Sequence, residues 1–139
     1  MPKVVIYTDG GARGNPGPAG AGAAIFDEQG ATLAEVSDYL GETTNNVAEY
    51  EALTRALGAV HRMFGKKLHD MRVEIRMDSE LIVKQMQGAY KIKAPGLKPH
   101  FMEVKKLLLH MPHHSFMHIP REENEKADAL VNAAIDRGV

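Results

Sequence analysis

The sequence predicts a mixed α/β fold in one domain, and three observations carry that expectation. Elements change type along the chain in the order strand, strand, strand, helix, strand, helix, helix, strand, helix, which suits a sheet with helical cover. The chain has 139 residues, 44% of them apolar and 25% charged, enough to bury one sizeable core. No internal repeat, low-complexity tract or linker divides it, so residues 1–139 read as a single domain.

"KVVIYTD" opens the chain with β-branched and aromatic residues, apolar on both faces, as expected of a strand covered on two sides. "AGAAIFDEQG" and "ATLAEVSDYLG" flank a Glu-Gln-Gly turn and read as an antiparallel pair following it. The period then becomes helical. Tyr50, Leu53, Leu57, Val60 and Phe64 recur at helical spacing, and Asn46 with Glu49 three residues later has the spacing of a capping box. "MRVEIRMDS" alternates Val73, Ile75 and Met77 with charged neighbours, the pattern of a strand, and "SELIVKQMQG" is a short helix stopping at Gly88. A helix bearing Phe101, Val104, Leu107 and Leu108 precedes a strand "HSFMHI". The last helix carries Ala127, Leu130, Val131, Ala134 and Ile135 on one face and ends at Gly138.

Composition narrows the function classes. There is no Cys, which removes disulfide and thiolate chemistry. No apolar run approaches a membrane span and no basic-plus-apolar leader opens the chain, so the expectation is a cytoplasmic protein without a membrane partner. The net charge of −1 hides a polarised distribution. Between residues 84 and 106 stand six lysines, Lys91 and Lys93 among them, against the single acid Glu103. That segment is either a solvated helix face or a contact for phosphates. The seven His residues are scattered without ligand spacing.

Four carboxylates stand out by position. Asp9 and Asp78 each end an apolar strand, where ligands sit in open α/β sheets. Glu49 lies in the first turn of its helix, and Asp128 at the edge of the apolar face of the last one. Singly, each has a structural explanation: an Asx turn at Asp9, a capping partner for Asn46 at Glu49, a helix cap at Asp78, a dipole-favoured acid at Asp128. Their joint approach to one end of the sheet is better explained by cations, because such a cluster repels itself. Hard oxygen donors suit magnesium or manganese.

The stretches "YTDGGARGNPGPAGAG", "TTNNVAEYEAL", "RMDSELIVKQMQG" and "ENEKADAL", in that order, are similar to those of type 1 ribonuclease H proteins over nearly the whole chain. The resemblance implies a ribonuclease H-like fold, a mixed five-stranded sheet whose first three strands are antiparallel. It implies a catalytic quartet of Asp9, Glu49, Asp78 and Asp128 holding two Mg2+ or Mn2+ ions. It also implies cleavage of the RNA strand of an RNA–DNA hybrid to 3′-hydroxyl and 5′-phosphate products. On that reading Gly10, Gly11 and Arg13 belong to a glycine-rich segment that approaches the nucleic acid. Asn15, Asn45 and Asn46 offer amides to 2′-hydroxyls and base edges, and Lys91 and Lys93 meet phosphates of the DNA strand.

This chain departs from the family pattern in two places. The segment "MHIPREENEKAD" is too short for a His-bearing loop before the last helix, so Arg121 is the residue to serve there. Glu80 stands where relatives often carry a Gln that contacts the minor groove. Double-stranded RNA and RNA–DNA junctions stay open as further substrates, and the chain is expected to be a monomer or weak dimer. The competing classes are another polynucleotidyl transferase or nuclease of the same fold and a non-catalytic hybrid-binding domain. An aspartyl-nucleophile phosphatase would want a second Asp two residues after Asp9, where Gly11 stands.

Overall fold

The computed structural model describes residues 1–139, and its five-stranded sheet runs β3-β2-β1-β4-β5. β1 (Lys3–Ala12), β2 (Gly17–Asp27) and β3 (Thr32–Thr43) form an antiparallel meander; β4 (Arg72–Met77) joins β1 in parallel, and β5 (His114–His118) joins β4 in parallel. The helices are α1 (Asn45–Phe64), α2 (Glu80–Met86), α3 (Lys98–Leu108) and α4 (Glu125–Arg137). Short 3₁₀ turns at Gly65–Asp70, Pro95–Leu97 and Arg121–Glu123, which carry no periodic signal, complete the chain. No helix is long and apolar enough to cross a membrane.

The apolar periodicity explains the layering. Tyr50, Leu53, Leu57 and Val60 of α1 are fully buried, in one cluster with Val4 and Ile6 of β1, Ile75 of β4, and Val104 and Leu108 of α3. Each such side chain contributes about 1.5–3 kcal/mol of burial. The opposite face of the sheet receives Ala127, Val131, Ala134 and Ile135 of α4, which ends as expected with Gly138 in the left-handed region at φ 67°.

The glycine-rich stretch is mostly paired strand: Gly10 and Gly11 are in β1, and Gly20 and Gly22 in β2, joined by a turn of Arg13–Pro16. The glycines let helices sit close on the sheet. A Cβ on Gly10 would overlap the Ala48 carbonyl of α1, one on Gly22 would overlap the Ala127 carbonyl of α4, and one on Gly20 would lie 2.8 Å from the Val131 carbonyl oxygen. Gly11 alone of these four has room for a Cβ, which would meet Val131 Cγ1 in ordinary contact at 3.8 Å.

The start of α1 departs from expectation. Thr44, not Asn46, is the N-cap, and its hydroxyl accepts from the Val47 amide at 3.2 Å. With the cap satisfied there, Glu49 is released from capping and turns toward the sheet. α2 is capped by Ser79 and ends at Met86, two residues before Gly88.

Candidate active site

The sheet register assembles the site. Thr8 of β1 pairs with Met77 of the parallel β4, so the next residues, Asp9 and Asp78, stand side by side where that pairing ends; Asp78 has left β4, whereas Asp9, expected to end its strand, stays in β1 opposite Gly22 of β2. Glu49 is brought over β1 by α1 and accepts from the Gly10 amide through Oε1 at 3.1 Å, while the same amide lies 3.0 Å from Asp9 Oδ1. One carboxylate oxygen from each of Asp9, Glu49 and Asp78 lies within 4.8 Å of the others. Asp128, on α4, lines the same cleft but stands outside that tight group; its Oδ2 accepts from Asn132 Nδ2 at 3.4 Å. Three of the four expected carboxylates therefore converge, and the fourth lies near enough to Asp9 to help raise its carboxyl.

Burial makes these acids unusual. Asp9 is 8% exposed and Glu49 7%. Desolvation, and after it the charge of Asp78, pushes the Asp9 carboxyl up to about 7. Glu49 is held well above the ordinary range by its own desolvation and by Asp9. Its Oε2 is buried with no hydrogen-bond partner. An orphaned carboxylate oxygen beside two further carboxylates fits a divalent cation of the magnesium or manganese kind, which takes hard oxygen ligands and removes the repulsion.

The cleft has a volume of about 430 Å³, and its walls include Gly11, Arg13, Asn45, Asn46 and Arg121. Arg121 is exposed and forms no ion pair with Glu122 or Glu125, so its guanidinium is free toward the cleft. Its place follows from the short link between β5 and α4, filled by Pro120 and one 3₁₀ turn. Arg13 is engaged otherwise: it pairs with Asp136 at 2.7 Å and donates to Asn132 Oδ1 at 3.2 Å, tying the β1–β2 turn to α4. Asn15 and Asn45 brace each other's segments. Asn15 Oδ1 accepts from the Asn45 amide at 3.1 Å, and Asn45 Oδ1 accepts from the Ala12 amide at 2.8 Å. Lys91 and Lys93 lie beside a neighbouring depression with Asn46, Tyr90 and Leu97. Glu80, the first residue of α2, is exposed and outside the cleft. The His residues assemble no ligand group; His61 and His110 stack on each other with ring centroids 4.3 Å apart.

Asn124 escapes sequence reasoning. It is 1% exposed and donates through Nδ2 to the Thr8 carbonyl at 2.9 Å and to Asp78 Oδ2 at 3.1 Å. It lies in the stretch "ENEKADAL" just before an apolar periodic run, where no local signal separates it from an ordinary helix cap.

A family model described as reverse transcriptase-like matches residues 7–134. LC11-RNase H1, isolated from compost by a metagenomic approach, has a structure 63% identical in sequence, with TM-score 0.92, covering 99% of this chain and 98% of that one. A crystal structure of LC11-RNase H1 in complex with RNA/DNA hybrid is 62% identical with TM-score 0.91, over 96% and 97% of the two chains. Ribonuclease HI of Halobacterium salinarum is 42% identical over 134 residues, 96% of this chain and 65% of the relative. The bifunctional protein Rv2228c of Mycobacterium tuberculosis is 41% identical over 135 residues. The chain thus spans about two thirds of the halobacterial relative and 36% of the mycobacterial one.

Proposed function

The chain belongs to the type 1 ribonuclease H family, and on that premise we propose that residues 1–139 form one catalytic domain that hydrolyses the RNA strand of RNA–DNA hybrids, leaving 3′-hydroxyl and 5′-phosphate ends. The observation that carries the reading is the convergence of Asp9, Glu49 and Asp78 within 4.8 Å where the central strand ends its pairing with β4. The hybrid complex of LC11-RNase H1 supports the substrate class.

Asp9, Glu49, Asp78 and Asp128 would hold two Mg2+ or Mn2+ ions, whose chemistry when bound is to generate the attacking hydroxide and to stabilise the leaving 3′-oxygen. Asp9 would be the central member of that set, because it sits on β1, the middle strand of the sheet. Burial raises the Asp9 and Glu49 carboxyls in the free protein, so cation loading would favour release of protons. The Gly10 amide orients both carboxylates through the bonds given above. At the cleft wall Asn45 and Asn46 offer polar groups to the ribose side of a hybrid, and Gly11 leaves backbone accessible there. Lys91 and Lys93 supply the sequence-independent attraction to DNA-strand phosphates.

The test is gel analysis of labelled hybrid, double-stranded RNA, all-DNA duplex and single strands with each cation. The hybrid is cut, all-DNA duplex survives, and one deoxyribose at the scissile nucleotide blocks that bond, because the site loses its 2′-hydroxyl partner. Efficient nicking of all-DNA duplex would favour the broader transferase or nuclease class, and binding without cutting would favour a silent hybrid-binding domain.

Arg121 stays charged at neutral pH, so it is a poor proton donor but a good bidentate partner for a phosphate. Arg121→Ala is expected to lower turnover by one to two orders of magnitude, about 1.4–2.7 kcal/mol, with little change in Tm. Arg121→Lys recovers part of it, since the charge remains while the fork is lost. Unchanged turnover in Arg121→Ala at saturating cation and substrate rejects the role.

A further inference from the structure

Asn124 occupies the residue before α4, where an Asn side chain ordinarily accepts from an amide of the first helical turn. Here the side chain makes no capping bond, and its Oδ1 is buried without a partner. Both features are unfavourable locally, since a cap is forgone and a buried acceptor is left unmatched. A residue that breaks the local rule without local gain is set by something more distant. The distant partners are the two acceptors of Nδ2, the Thr8 carbonyl at 2.9 Å and Asp78 Oδ2 at 3.1 Å.

These two bonds join β1 to the segment after β4, at the point where the parallel pairing of the two strands ends and Asp9 and Asp78 stand side by side. The backbone of Asn124 completes the arrangement, because its carbonyl accepts from the Asp128 amide at 3.1 Å and so begins the turn that presents Asp128 to the cleft. Asp78 lies outside the strand, and no other protein group donates a side-chain hydrogen bond to it. We propose that Asn124 is a positioning residue for the reaction: its amide fixes the Asp78 carboxylate against β1, at the separation from Asp9 and Glu49 that a divalent cation requires. The inference deepens the ribonuclease reading and rests on it.

The full chain is used for the test. Mn2+ binding is followed by electron paramagnetic resonance, and cleavage of labelled hybrid is followed in parallel. Asn124→Ala is expected to weaken Mn2+ binding about tenfold and to lower kcat about tenfold, with KM for the hybrid changed less than about twofold. In an Asp78→Ala background the same change adds less than about twofold to the loss of Mn2+ affinity, because no carboxylate remains to be held. In the otherwise native chain, the ¹⁵N side-chain amide of Asn124 shifts on Mg2+ titration, and the shift disappears in Asp78→Ala. A chain that binds no Mn2+ and cuts no hybrid overturns the ribonuclease reading and this inference with it. A native chain that does both, combined with an Asn124→Ala loss that is equal in the two backgrounds or confined to Tm, overturns the positioning role alone. Should Asn124→Ala fail to fold, the native amide decides: no shift at saturating Mg2+ overturns the proposal.

Discussion

Asp9→Asn is expected to abolish hydrolysis of the hybrid, by about a thousandfold or more, on the order of 4 kcal/mol of barrier, while the chain still folds. Asn preserves the volume at this buried position and removes the negative charge that the shared cation site needs. Purified Asp9→Asn retaining activity within about tenfold of the native chain would exclude the carboxylate assignment. The same substitution changes the response of stability to pH, and the sign follows from the raised carboxyl. Unfolded, Asp9 releases its proton near 3.8, whereas folded it keeps the proton to about 7. Between those limits the folded state binds more protons, so stability falls as pH rises through the window, and above about 7 the full penalty is present. Glu49, raised for the same reason, acts in the same direction. Without divalent cations, Asp9→Asn should therefore exceed the native chain in Tm by more at pH 8 than at pH 5. Adding Mg2+ at pH 8 should raise the native Tm and leave the variant nearly unmoved. Thermal denaturation with and without chelator reads all of this, and an equal offset at both pH values would contradict the burial argument.

Gly10→Ala is expected to destabilise the chain by about 3 kcal/mol or more, roughly 10 °C in Tm, and to remove activity in whatever fraction folds. The added methyl would overlap the Ala48 carbonyl and lie 2.5 Å from the Glu49 nitrogen. These are backbone atoms, so no rotamer change relieves the contact, and β1 and α1 must separate. Separation moves Glu49 away from Asp9 and breaks the bond from the Gly10 amide to Glu49. Gly11→Ala is the control, since its methyl meets only Val131 Cγ1 at 3.8 Å and should leave Tm within about 2 °C. Equal effects of the two substitutions in calorimetry would refute the close-packing account of this stretch.

The sequence by itself determined the elements and their faces. Alternation in "RVEIRM" and the helical spacing of Tyr50, Leu53, Leu57 and Val60 report which side of each element avoids water, and each such pattern is local. It also set apart Asp9 and Asp78 beside apolar strand runs, although β1 continues past Asp9 to Ala12, and singled out Arg121, because one short link leaves little choice of where that residue goes. Tertiary structure alone decided which neighbours these groups meet. Gly10, Gly20 and Gly22 look like a flexible segment in a string of residues, but their meaning lies in α1 and α4, helices that begin far along the chain. Glu49 fits a capping box by spacing, yet Thr44 takes the cap and the sheet end takes the carboxylate. Asn124 likewise has the spacing of a cap, and only the parallel register of β1 with β4 puts Thr8 and Asp78 within its reach. The physical reason is common to all three: periodicity records how a segment divides between water and core, whereas a hydrogen bond or a close backbone contact depends on two segments whose separation no local pattern encodes.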